Sequence, residues 1–301
     1  PQNSRSANAE ITFLTTDTET TTPTSRHLVP VSFGVCLAAG MQSMDTFLAG
    51  IALPNMMGAF STTLDEISWI LTAYLVAVAV FTPLTAWLGR RYGRKRVLLI
   101  GIVGFVVAST FAGTSNSLLE IVTARFIQGV FGATLIPVAQ QILLDLWPKE
   151  RHNIALGWFS VGMMVGLIIG PVLGGFLTEY YSWRWNFFVN IPGGLIAFIL
   201  IFLFVRENKP DTSRHFDLTG FILLGIALIC MQSVLDRGEK LAWFESDEIV
   251  MLSAISLCAL YLFIVHIITA RRPFVDPALF KNRTFTICAC YLILLGIMMF
   301  G

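Results

Sequence analysis

Between residues 29 and 269 the chain passes through eight apolar stretches, at about 29–53, 67–88, 97–115, 118–144, 153–178, 186–205, 218–236 and 248–269, each closed by a polar break. Each is close to the roughly 20 residues that a helix needs to cross a hydrocarbon core. A ninth opens near Phe285 and is still apolar at Gly301, where it is cut off. Charged residues make up 13% of the chain and hydrophobic ones 55%, against about 25% and 45–50% in an ordinary soluble domain. A chain of this kind cannot bury so much apolar surface in water. Its solvent is the lipid bilayer, and its expected class is an all-α integral membrane protein.

Where the few charges sit sets the expected topology, because Lys and Arg of short loops stay on the cytoplasmic side. With the N-terminus inside, the inner loops hold Arg90, Arg91, Arg94, Lys95, Arg96, Lys149, Arg151, Arg206, Lys209, Arg214, Arg271, Arg272, Lys281 and Arg283, fourteen in all. The outer loops then hold three, Arg184, Arg237 and Lys240. A cytoplasmic N-terminus follows. Residues 1–28, polar and rich in Ser and Thr, do not match a cleaved signal peptide and read as a disordered cytoplasmic tail. Residues 29–205 then form a six-helix bundle and 206–217 a cytoplasmic linker. Residues 218–269 supply two further helices, 270–284 a cytoplasmic loop and 285–301 the start of another bundle. Six spans make one half of many transporters, commonly as two three-helix repeats of inverted topology.

The formal net charge of +1 argues against nucleic acid as a partner, which calls for a strongly basic face. Cys36, Cys230, Cys258, Cys288 and Cys290 lie within apolar runs without redox or zinc spacing, and His27, His152, His215 and His266 are scattered. Neither a metal nor a cofactor is expected. The segment Gly89–Arg96 is rich in Gly and basic residues but lacks the ending of a phosphate-binding loop and follows a membrane span. It reads as a topogenic basic turn, and with no ATP-binding segment in sight the energy must come from an ion gradient or a separate subunit.

Two ionisable residues stand where charge is expensive. Asp45 lies deep in the first span, where an ionised Asp costs roughly 2.5–3.5 kcal/mol at a helix centre. It must be neutral, paired or facing water. Gln42, Asp45 and Thr46 share one helix face at i, i+3 and i+4. Arg125 lies well inside the fourth span, with Gln128, Gly129 and Gly132 on the same face, and cannot be discharged. Asp45 is the nearest acid by depth, with Glu120 one turn outward as a competitor. A carboxylate that loses its partner on taking a proton is the core of a proton switch; a static salt bridge is the alternative. In the fifth span Gly162, Gly166, Gly170 and Gly174 recur every four residues beside Pro171 and Gly175. This smooth face permits close helix approach, and it also suits a seal or hinge at the interface between two halves.

Together these segments resemble the major facilitator superfamily, and within it the fourteen-span drug:proton antiporter branch of EmrB/QacA type. MDTFLAGIALP (44–54) is similar to the branch's first-helix motif, with Asp45 as its acid. LGRRYGRK (88–95) resembles the superfamily's basic loop at Leu88, Arg91, Gly93, Arg94 and Lys95, departing from it at Ala86 and Arg90. RFIQG (125–129) resembles the fourth-helix motif and GLIIGPVLGG (166–175) the antiporter motif. WRWNFFVNIPGG (183–194), LDRGEKLAWFES (235–246) and VDPALFKNRTFTI (275–287) are similar to segments of EmrB-type pumps.

The resemblance implies a major-facilitator six-helix bundle, two inserted helices and the start of a second half. It implies proton-coupled export of hydrophobic or amphipathic drug-like molecules across a bacterial inner membrane. A periplasmic adaptor and an outer-membrane channel are implied as partners. Asp45 and Arg125 would couple the proton, Gln42, Thr46 and Gln128 would face the pathway, and the glycine face would form a packing hinge. Export of an endogenous metabolite, and a truncated fragment or accessory membrane subunit that does not transport, remain as alternatives.

Overall fold

The computed structural model describes residues 28–207, 216–270, 273, 279 and 281–300. The expected tail up to residue 27, linker residues 208–215 with Lys209 and Arg214, and much of the loop after residue 270, with Arg271 and Arg272, lie outside the described residues. The remainder is helical: α1 Leu28–Phe60, α2 Leu64–Tyr92, α3 Arg94–Thr114, α4 Leu118–Gly132, α5 Leu135–Leu146, α6 His152–Tyr180, α7 Trp185–Phe188, α8 Asn190–Phe204, α9 Leu218–Arg237, α10 Asp247–Thr269 and α11 Arg283–Phe300. With α4 joined to α5 and α7 to α8, eight elements among the described residues are long and apolar enough to span a membrane. Helices are the natural outcome, because in lipid each backbone polar group must find its partner within the segment or in a closed barrel.

Local chemistry explains where these elements start and stop. Thr63 opens α2 with a capping box, its hydroxyl accepting from the Glu66 N–H at 3.3 Å while Glu66 accepts from the Thr63 N–H at 3.1 Å. Ser117 caps α4, its hydroxyl accepting from the Glu120 N–H at 3.3 Å. The fourth span, expected as one helix, is interrupted at Ala133 and Thr134. Pro137 is the cause, since it has no N–H to give the Ala133 carbonyl and its ring crowds that oxygen. The break frees the Ile136 N–H, which donates to Gln42 Oε1 of α1 at 3.3 Å.

The basic segment 88–96 is not a loop, which corrects the sequence reading. α2 runs to Tyr92, α3 starts at Arg94, and the single residue Gly93 makes the turn with φ of 94°. Only a glycine adopts that conformation without strain. The basic side chains therefore project from two helix ends held at a fixed angle.

Burial is arranged for lipid. Large apolar side chains such as Phe111, Ile168, Val172 and Leu203 are exposed on the outer surface, whereas Asp45, Arg125, Gln128, Asn186 and Asn190 are buried. Helix α1 is the central element, packed along α6 and α8 and against α2 and α5. Helices α9 and α10 pack on each other, with α9 laid along α2. At their base His266 of α10 meets the Asp217 carboxylate that caps α9, at 2.8 Å. On the opposite face of the six-helix bundle Arg184 donates to the Gly113 and Ser115 carbonyls at 2.9 and 2.7 Å, satisfying oxygens freed where α3 ends.

Candidate functional site

Four helices bring polar groups to one point in the interior. From α1, Asp45 presents a carboxylate that is 1% exposed, and from α4 Arg125 is 0% exposed. Arg125 Nη1 donates to Asp45 Oδ2 at 2.5 Å and to Gln128 Oε1 at 2.9 Å. Gln128, one turn along α4, returns its amide N–H to Asp45 Oδ1 at 2.9 Å. Asn190, the first residue of α8, donates to the same oxygen at 2.8 Å and to Ser109 Oγ of α3 at 3.0 Å. Ser109 in turn donates to the Phe187 carbonyl at 2.8 Å. The guanidinium lies over the ring of Tyr74 from α2, 4.2 Å from its centroid, a placement that favours a cation on an aromatic face.

Three donors thus converge on one carboxylate. That arrangement fits an ionised acid, since a protonated one offers a hydrogen of its own and needs an acceptor. The charge of Asp45 is compensated by Arg125 and dispersed over two amides, which is the condition for holding an ion pair in a low-dielectric interior. Glu120 does not compete for Arg125, because its carboxylate accepts from the Asn116 N–H at 2.8 Å.

The sequence-derived neighbours divide. Gln128 is in direct contact with Asp45. Gln42 is turned to the Ile136 N–H, and the Thr46 hydroxyl donates to the Gln42 carbonyl of its own helix at 3.3 Å. Asn190, Ser109 and Tyr74 were not singled out from the sequence. The available signal was the pair Asn186 and Asn190, four residues apart on one face at the start of an apolar span.

The Major Facilitator Superfamily model matches residues 35–301. The chain belongs to this superfamily. It is similar to the multidrug export protein EmrB of Escherichia coli strain K12, 37% identical over 265 residues that make up 87% of this chain and 52% of that protein. The fatty acid resistance protein FarB of Neisseria gonorrhoeae is 34% identical over 260 residues, 86% of this chain and 51% of that one. The chain spans about half the length of the curated relatives it matches. Its fold is like that of the human organic anion transporter TETRAN, with a TM-score of 0.55 at 16% identity over 83% of this chain and 74% of that one. A peptide transporter crystallised with sulfate gives a TM-score of 0.57 at 14% identity over 81% of this chain and 52% of its own. Multi-pass membrane insertion and a transporter family follow together.

Two further groups of residues in this major facilitator chain were named from sequence. Around Gly93, Arg94 forms an ion pair with Asp145 at the end of α5, and Arg96 faces Glu207 beyond α8 at 3.4 Å. Lys95 donates to the Phe202 carbonyl at 2.7 Å, and Arg91 is half-buried at the end of α2. Asp145 and Glu207 therefore partner Arg94 and Arg96 of the basic cluster.

The second group is the glycine face of α6. A Cβ on Gly162 would stand 2.8 Å from Cys36 Cβ, on Gly170 3.1 Å from the Met44 carbonyl oxygen and on Gly174 3.0 Å from Leu48 Cδ2, while Gly166 sits directly on the Gly40 carbonyl. Cys36, Gly40, Met44 and Leu48 are themselves spaced by four, so two i+4 ridges meet along their length. Within this chain the face is packed against α1 of its own bundle. Pro171 is exposed on another side of α6, and the helix continues through it.

Gly170→Leu should accordingly destabilise the full-length protein by about 1–3 kcal/mol through overpacking. Gly157→Leu, at a position of α6 with no atom within 4 Å of a Cβ, should be tolerated. Thermal unfolding in detergent compares the two, and equal midpoints would remove the close-packing argument.

Proposed function

We propose that the chain is the N-terminal part of a proton-coupled exporter of hydrophobic or amphipathic drug-like compounds. Asp45 is the proton carrier and Arg125 its electrostatic partner. The observation that carries this reading is the fully buried ion pair between them. A proton arriving on Asp45 removes one charge and leaves Arg125 as an uncompensated buried cation, which costs several kcal/mol unless water enters or helices move. Proton uptake and helix rearrangement are thereby linked energetically.

Several observations support the finer points. The names of the relatives, a multidrug export protein and a fatty acid resistance protein, support an amphipathic substrate. The basic cluster around Gly93 supports a cytoplasmic N-terminus by the positive-inside rule, and the likeness to bacterial export proteins supports placement in a bacterial inner membrane. The likeness to EmrB supports a periplasmic adaptor and an outer-membrane channel as partners. The seam between α6 and α1 serves as a packing hinge, because α1 is the helix that carries Asp45. Gln42, one turn before that acid, and Thr46, directly after it, lie on the same helix face, towards the pathway.

The test is drug-dependent proton movement in vesicles holding the full-length protein and a pH-sensitive dye. Adding a lipophilic cationic drug to vesicles with an imposed proton gradient should speed the release of protons. Drug export with no accompanying proton flux would overturn the coupling.

A further inference from the structure

Of the two amides that donate to Asp45 Oδ1, one is fully engaged and one is not. Gln128 has its carbonyl oxygen committed to Arg125 Nη1 at 2.9 Å. Asn190 is 0% exposed, yet its Oδ1 is buried without a hydrogen-bond partner. A buried acceptor left without a donor is unfavourable, and this one belongs to the side chain whose N–H touches the acid. Rotating the Asn190 amide half a turn about its last bond exchanges donor for acceptor at the same place.

We propose that Asn190 is a positioning residue that reads the protonation state of Asp45 by turning its amide over. With Asp45 ionised, the Asn190 N–H donates to Oδ1, as the structure shows. When a proton binds to Oδ1, the new O–H needs an acceptor, and of the two amide oxygens in the shell Asn190 Oδ1 is the one not already held. No covalent bond of Asn190 changes and it keeps both amide hydrogens; the proton that arrives stays on Asp45. The Ser109 hydroxyl can follow the turn, because it can accept from the amide or donate to it. Among the described residues the ionisable groups around the acid are Arg125 from α4 and Tyr74 from α2, with the amides of Gln128 and Asn190 completing the shell. The turn would pass the proton signal from α1 to α8 and, through Ser109, to α3. This role rests on Asp45 being the proton carrier.

Infrared difference spectra between alkaline and acid pH test it, on the full-length protein in phospholipid vesicles with asparagine side-chain carbonyls labelled by carbon-13. A carboxylic-acid C=O band should appear as Asp45 is protonated, and a labelled amide C=O band should shift in step with it. Both should vanish in Asp45→Asn, and the amide shift alone in Asn190→Ser. A carboxylic-acid band with no amide shift overturns the role of Asn190 and leaves Asp45 as carrier, a result that needs no variant at position 190. An amide shift that survives Asn190→Ser belongs to another asparagine and also overturns it. Absence of any carboxylic-acid band that depends on Asp45 removes the proton-carrier reading, and the amide turn with it.

Discussion

Replacing Asp45 by asparagine in the full-length protein is expected to abolish gradient-driven export while leaving membrane insertion intact. The amide has nearly the shape of the carboxylate but cannot take up and release a proton in any accessible pH range. Its oxygen can still accept from Arg125, as Asp45 Oδ2 does at 2.5 Å. Its NH₂ group would face the Gln128 and Asn190 amides, of which Asn190 has a buried carbonyl oxygen free to receive it. An uncharged amide is also cheaper to place at membrane depth than an ionised acid. Loss of transport should therefore appear at normal expression, in vesicles loaded with a fluorescent lipophilic cation. Export at the wild-type rate in Asp45→Asn would falsify the proton-carrier role.

Arg125→Met is expected to have the largest effect on stability. Removing one member of a buried pair leaves the other charged and unpaired, at a cost of about 3–5 kcal/mol. Asp45 would keep two amide donors, while Gln128 Oε1 loses the Arg125 donor and the Ile70 carbonyl a longer contact of 3.4 Å. The double variant Asp45→Asn with Arg125→Met removes both charges and should recover much of that loss, because two neutral side chains of similar volume no longer require compensation. A double-mutant cycle on unfolding in detergent isolates the pair. If Arg125→Met alone unfolds like wild type, or if the second substitution adds to the damage instead of relieving it, the ion pair is not what holds α1 to α4.

Much of this was legible in the sequence because it is local. An apolar run of some 20 residues declares a span by its own length, and Asp45 or Arg125 stands out against the run that contains it. Glycines at 162, 166, 170 and 174 declare a smooth face from spacing alone, since side chains four apart lie on one side of a helix. The all-helical class, the number of spans and the two costly charges were accessible on these grounds.

Tertiary structure decided which faces meet. Periodicity orients a helix only with respect to itself; its depth and rotation against another are set by packing. Asp45 and Arg125 lie 80 positions apart, and only the fold, which lets Arg125 of α4 reach across to Asp45 of α1, chooses Arg125's partner over the nearer Glu120. The glycine face could have served any neighbour, and α1 fills it because its own ridge repeats every four residues. Asn190 gave little warning, since an asparagine at a helix start is ordinary until the fold places it 2.8 Å from a carboxylate. Gly93 shows the same division at the backbone. Composition marked a basic turn there, but the positive φ that joins α2 directly to α3 depends on where those two helices are held. The residues themselves determined a helical membrane protein with an acid and a base in its spans; packing across helices made those two a pair and added the amide from α8.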